Sequence, residues 1–139
     1  MRWKKIFLNE GRTRYCIVKL YRKKIEMQKA YEKQSPKDDG HDKVAGAHCG
    51  YVLLKYSGKK EILSPETGTV FLNVGQSGAG IVCHELAHAV LWAHKHGKHK
   101  EQYPIVIKNM DDEEEILYHL TYAIRQFYTW FWKVKKSLS

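Results

Sequence analysis

Gly80-Ile81-Val82-Cys83-His84-Glu85-Leu86-Ala87-His88-Ala89-Val90-Leu91 is the stretch on which the reading of this chain turns. Its apolar residues (Ile81, Val82, Leu86, Ala87, Ala89, Val90 and Leu91) fit a largely buried helix. His84 and His88 are four apart, so on a helix they lie on one face about one turn from each other. That spacing lets both imidazoles reach one tetrahedral Zn²⁺. Glu85, beside the first histidine, is placed as the general base that takes a proton from a zinc-bound water. The H-E-x-x-H pattern is thus a hydrolytic half-site that lacks one ligand. The competing reading is a helix carrying two solvated or satisfied histidines. The apolar surround, which a buried active-site helix requires, weighs against it.

Catalytic zinc usually takes three protein ligands and leaves a position open. His94 is six residues after His88, the metzincin spacing, but Leu91 stands where that pattern has glycine. Without that turn the helix continues and His94 falls about 120° from His88. His96 and His99 lie at or beyond the expected helix end, in a lysine-rich stretch where histidines are usually solvated. The acidic run Asp111-Asp112-Glu113-Glu114-Glu115 is the better source, because it opens a helix expected to pack on the first. Carboxylates are also favoured at any helix N-terminus, and Asp111 and Glu114 have capping-box spacing. Three consecutive glutamates cannot share one face. With Leu117, Tyr118 and Thr121 on the inward face, Glu114 is the favoured ligand and Glu113 and Glu115 come next.

A length of 139 residues suits a single domain spanning 1–139. No apolar run approaches the roughly 20 residues of a membrane span. The start is basic like a signal peptide, but its apolar stretch, Ile6-Phe7-Leu8, is too short for export. A cytoplasmic location is therefore expected. Cys16, Cys49 and Cys83 agree, being odd in number and without C-x-x-C pairing. The net charge of +9 is uneven: residues 1–33 hold eleven Lys/Arg against three Glu, and Lys133, Lys135 and Lys136 close the chain. A solvated surface tuned for solubility is the first reading of this asymmetry. Contact with nucleic acid through the basic N-terminal region, around Arg22, Lys23 and Lys24, is the second.

Arg14–Arg22 is rich in β-branched and aromatic residues and predicts a strand; residues 23–33 predict a helix with Ile25, Met27, Ala30 and Tyr31 as an approximate apolar face. Residues 45–56 predict a second strand with a turn at 57–60, and 69–74 a third. Gly75–Gly80 leads into the motif helix with Ser77 as its N-cap; the pattern of a phosphate-binding loop is absent. That helix should stop near Lys95 or His96, with Gly97 as its left-handed cap. A long helix from Asp111 to about Lys135 follows from Ile116, Leu120, Ala123/Ile124, Phe127, Trp130/Phe131 and Val134 at helical spacing.

With these elements in order, the chain resembles the small zincin-like metallopeptidase domains often encoded by phages and prophages, which are similar to the ImmA/IrrE family. The resemblance rests on Gly80 to Ala89 and on Glu114-Glu115-Ile116-Leu117-Tyr118. The latter matches a family Glu-x-x-Ala-Tyr element, with Leu117 in place of alanine. It implies a gluzincin-like site in which His84, His88 and Glu114 bind zinc and Glu85 is the base. A second resemblance, to SprT-like DNA-associated proteases, rests on His84 to Trp92 followed by His96-Gly97. No cysteine-rich zinc ribbon accompanies it.

The expected fold is α+β and zincin-like. A small, mostly antiparallel sheet should cover one side of the H-E-x-x-H helix, with a long C-terminal helix on the other. The strand at 69–74 should be the edge that borders the cleft and accepts an extended peptide. The expected activity is zinc-dependent hydrolysis of a peptide bond in a peptide or protein substrate. Tyr103, His99 and Arg125 are the candidates for an oxyanion partner. Alternatives are an SprT-like nucleic-acid-associated protease, or a catalytically idle zincin that binds partners. The aromatic tail Tyr128, Trp130, Phe131, Trp132 would then serve as a contact surface, including one between copies of the chain.

Overall fold

A computed structural model describes residues 1–35, 45–98 and 110–138. It is an α+β fold with six strands, β1 (Arg2–Phe7), β2 (Tyr15–Tyr21), β3 (Ala47–Gly50), β4 (Leu54–Ser57), β5 (Lys60–Leu63) and β6 (Glu66–Asn73). Its helices are α1 (Lys24–Gln34), α2 (Ala79–Lys98) and α3 (Met110–Leu138). Strand order in the main sheet is β1-β2-β6-β3, while β4 and β5 form a separate hairpin.

The burial pattern of β2 explains its place. Cys16, Val18 and Leu20 are fully buried on one face, and Ile17, Lys19 and Tyr21 alternate with them on the other. β6 is buried over nearly its whole length, as a strand covered on both faces must be. Val70 and Leu72 join β2 residues in the core under α2 and α3. Phe71 faces the opposite side, where Met27, Tyr31 and Ala47 enclose it. The Tyr31 and Phe71 rings meet edge-on at 5.6 Å. The sheet is therefore sandwiched between α1 on one face and the α2–α3 pair on the other.

α3 runs antiparallel to α2. Glu115 and His119, near its start, share a cavity with Val90, Ala93 and His94. Its apolar stripe appears as the periodicity predicts, with Ile116, Ala123, Phe127 and Phe131 in the core and Leu120, Ile124 and Val134 against it. α3 is also tied to β1 by the Gln126 amide. Its nitrogen donates to the Phe7 carbonyl at 2.8 Å and its oxygen accepts from the Phe7 N–H at 2.9 Å. Backbone groups at the sheet edge are thus satisfied by one side chain. In the aromatic tail, Phe131 is buried, Tyr128 and Trp130 are half-buried, and Trp132 is exposed.

Several sequence expectations are corrected. The main sheet is mostly antiparallel, as expected, through β1–β2 and β3–β6, but it is mixed because β2 and β6 pair in parallel. The strand expected at 69–74 starts at Glu66 and is interior; β3 is the edge beside α2. Its apolar residues alternate between two covered faces, which suits a central strand and not a rim. The strand expected at 45–56 is split by Tyr51–Leu53 into β3 and β4. Neither β1 nor β5 was foreseen, because β1 is a charged edge exposed at its first four residues. Ser77 is not an N-cap: its hydroxyl donates to the Asn73 carbonyl, and α2 opens with the Val82 N–H donating to the Gly78 carbonyl. α2 also runs through Gly97 to Lys98, an interior glycine costing about 1 kcal/mol relative to alanine. The cavity contact at 94 and the Trp92–His96 ring contact at 4.0 Å hold its last turns.

Candidate metal centre

α2 buries Val82, Leu86, Ala89, Val90 and Ala93 and turns His84 and His88 outward. The two Nε2 atoms are 3.1 Å apart, with the rings edge-on and 4.7 Å between centroids. Two nitrogens at the usual Zn–N distance on one tetrahedral ion stand about 3.3 Å apart. The pair therefore has the separation that two ligands of a single zinc require.

Glu85 takes the opposite role on the same turn. It is only 8% exposed, and its Oε1 is 3.9 Å from His84 Nε2. Burial raises its carboxyl pKa above the ordinary value, while His84 opposes part of that rise. Its neighbour across the interface is Gly46, just before β3. A Cβ there would come within 3.2 Å of Glu85 Cγ, 3.0 Å of Ile81 and 3.1 Å of Leu72. A bare backbone at 46 is thus what lets the end of the edge strand lie against the motif helix.

One residue of this site had no signal in the sequence reading. His48 lies on β3 opposite Val70. Its ring is parallel to that of His88, 6° between planes and 6.3 Å between centroids. Burial and the nearby His88 lower its pKa to about 4, so the imidazole is neutral. Its Nε2 is buried with no hydrogen-bond partner among the described residues. Gly68 makes the room, since a Cβ there would stand 2.9 Å from that nitrogen.

Trp92, one turn beyond His88, fixes β3 to α2. A Cβ on Gly50 would meet its indole at 2.6 Å, and its Nε1 donates to the Tyr51 carbonyl at 3.2 Å. His84, His88, Trp92 and His96 thus form one i, i+4 row, and His96 packs on Trp92 and not on the histidine pair.

The remaining candidates are placed elsewhere. Glu113 and Glu114 are exposed on the early turns of α3, and so are Leu117, Tyr118 and Thr121, which the sequence reading puts on the inward face; the buried face is set instead by Ile116, Ala123 and Phe127. Glu114 shares a shallow cavity with Glu10, Glu115, Tyr118 and His119, and neither motif histidine lines it. Glu115 Oε1 lies 3.4 Å from His119 Nε2. His94 belongs to the cavity between α2, α3 and the β1–β2 turn. Arg125 lines a groove between β1 and α3. His99 and Tyr103 lie outside the described residues, and the side chains of Asp111 and Asp112 are likewise not described. Among the described residues, no three His, Cys, Asp or Glu side chains gather closely enough to hold one metal ion.

Comparison with protein-family models gives no match. No curated protein and no solved structure matches the chain either. No described helix is long and apolar enough to cross a membrane.

Proposed function

We propose that the chain is a zinc-dependent metallopeptidase in which His84 and His88 hold the ion and Glu85 is the general base. The observation that carries this reading is the 3.1 Å Nε2–Nε2 separation directly beside a buried carboxylate. Zinc bound by the pair would polarise a scissile carbonyl and acidify water.

The chain's own residues supply the rest. Burial raises the basicity of Glu85, which suits a group that must take a proton and return it to a leaving amine. Neutral His48 lies against His88 and limits how that ring can turn. Among the described residues β3 has a sheet neighbour on one side only, and its other edge is where an extended peptide would add by main-chain hydrogen bonds. The third ligand in this reading is Glu114, by the family resemblance and its place at the start of α3. The zincin-like nature of the fold belongs to the same proposal. Three free cysteines suit a reducing compartment, and a cytoplasmic location is part of the reading.

Metal analysis of the purified chain tests it. About one zinc per chain is expected, lost in His84→Ala and in His88→Ala. Glu85→Gln should keep the metal and abolish cleavage of a peptide library. Zinc binding that survives both histidine changes would remove the proposal.

A further inference from the structure

The basic residues of the N-terminal third are not spread evenly over the surface. Lys4 from β1, Arg12 from the β1–β2 turn, and Arg125 and Lys133 from α3 line one open groove of about 530 Å³, and Lys5 borders it with its ammonium over the Tyr15 ring at 4.3 Å. Among the described residues no carboxylate lines it. A surface tuned only for solubility intersperses both signs, because like charges brought together repel.

The groove is elongated by construction. Arg125, Thr129 and Lys133 are spaced i, i+4 and i+8, so they form one stripe along α3, about 12 Å long. The stripe runs beside β1, the edge strand of the sheet on this side among the described residues. Gln126 keeps the two walls together through its paired hydrogen bonds to Phe7. Arg12 is held along the wall, its Nε donating to Tyr122 Oη at 3.1 Å and its guanidinium lying 5.1 Å from the centre of the Phe7 ring. The half-buried Trp130 adds an aromatic surface among the cations. A linear row of cations interleaved with aromatic rings is the chemistry that holds a single nucleic-acid strand: phosphates on the charges, bases on the rings.

We infer that the groove between β1 and α3 binds single-stranded nucleic acid without strong sequence preference. The occupant is a strand of about three or four nucleotides, from the charge spacing of stacked nucleic acid along 12 Å. This inference stands apart from the zinc reading, since none of its residues belongs to the histidine pair or its surround. It also relocates the contact expected around Arg22, Lys23 and Lys24, none of which lines the groove.

The test is fluorescence anisotropy of the full chain with a labelled oligodeoxythymidylate about a dozen nucleotides long, titrated across a KCl series. Binding should weaken steeply with salt, with a log–log slope of about −2 to −3 for three or four neutralised phosphates. Arg125→Glu combined with Lys133→Glu should weaken affinity at least about tenfold and flatten the slope by about 1.4. Both side chains are exposed, and circular dichroism checks that the double variant folds; Arg125→Gln with Lys133→Gln gives a milder pair with the same direction. Charge reversal at Arg22, Lys23 and Lys24 should change affinity much less. Absence of binding at low salt overturns the inference. So does a double variant that binds like the parent, or a loss confined to the Arg22, Lys23 and Lys24 variant. Equal or tighter binding of a duplex would overturn the single-strand assignment.

Discussion

His48 on the edge strand and His88 on the motif helix present parallel imidazoles, 6° between planes with centroids 6.3 Å apart. The first is half-buried with its Nε2 enclosed and is neutral, and the second is exposed, so an uncharged ring lies beside a candidate ligand. This relationship sets a pH dependence. The folded pKa of His48, about 4, lies below the ordinary 6.5. Between those values the unfolded chain binds more protons, so stability falls as pH drops through that window. Metal-free protein should show a lower urea midpoint at pH 5 than at pH 7, and the difference should shrink in His48→Phe. An unchanged pH dependence in that variant would count against a neutral, desolvated His48.

Glu85 has the opposite sign. Its folded pKa is raised by burial, so the folded chain holds the proton longer as pH rises. Its contribution to stability is fully present at low pH and is lost as pH rises through the raised pKa. In metal-free protein at neutral pH, Glu85→Gln should therefore be at least as stable as the parent, because glutamine carries no charge to bury. Thermal melts after chelation decide this. A Glu85→Gln protein clearly less stable than its parent would mean that the carboxylate has a structural partner and is not held ready as a base.

Gly50 and Trp92 lock the edge strand to the helix. A Cβ on Gly50 would sit 2.6 Å from the indole, so Gly50→Ala must displace the ring or the strand. Overpacking of this kind costs about 1–3 kcal/mol. Trp92→Leu should absorb part of it, and the double variant should be less destabilised than the sum of the singles. Denaturant midpoints of the four proteins give the coupling; strict additivity would show that the two positions do not share this contact.

What was legible from the residues was local. The 3.6-residue spacing of Leu86, Ala89, Val90 and Ala93, and of Ile116, Ala123, Phe127 and Phe131, identifies both long helices and their buried faces. The β-branched and aromatic residues of Arg14–Arg22 identify β2. What was not legible depends on partners distant in sequence. β1 is a run of charged residues that becomes a strand by pairing with β2, and Gln126 meets Phe7 across 119 positions. The 69–74 segment reads as an edge because nothing nearby in sequence reveals that β2 and β3 flank it. His48 has no motif around it. Its meaning comes from β3 lying beside α2, which Gly46, Gly50 and Gly68 permit by leaving out a Cβ.

Glu114 separates two readings of the acidic run that opens α3. It is exposed and shares its cavity with Glu10, Glu115, Tyr118 and His119. As a zinc ligand, it requires the start of α3 to present its carboxylate to His84 and His88 when metal binds. Glu114→Gln should then weaken zinc affinity by more than the roughly 10–100-fold that losing an outer-shell partner costs. Helix stability should change little. As a helix-terminus carboxylate alone, the same change should leave zinc bound and cost at most about 1 kcal/mol, because glutamine also serves that position. Glu113→Gln and Glu115→Gln are the controls. Glu113 is exposed and Glu115 is engaged near His119, so neither should alter zinc affinity if Glu114 is the ligand. Competition titration with a zinc chelator reads all three variants. Full affinity in Glu114→Gln with loss in His94→Ala or His96→Ala would transfer the third position to a histidine, and the gluzincin-like reading would fall with it.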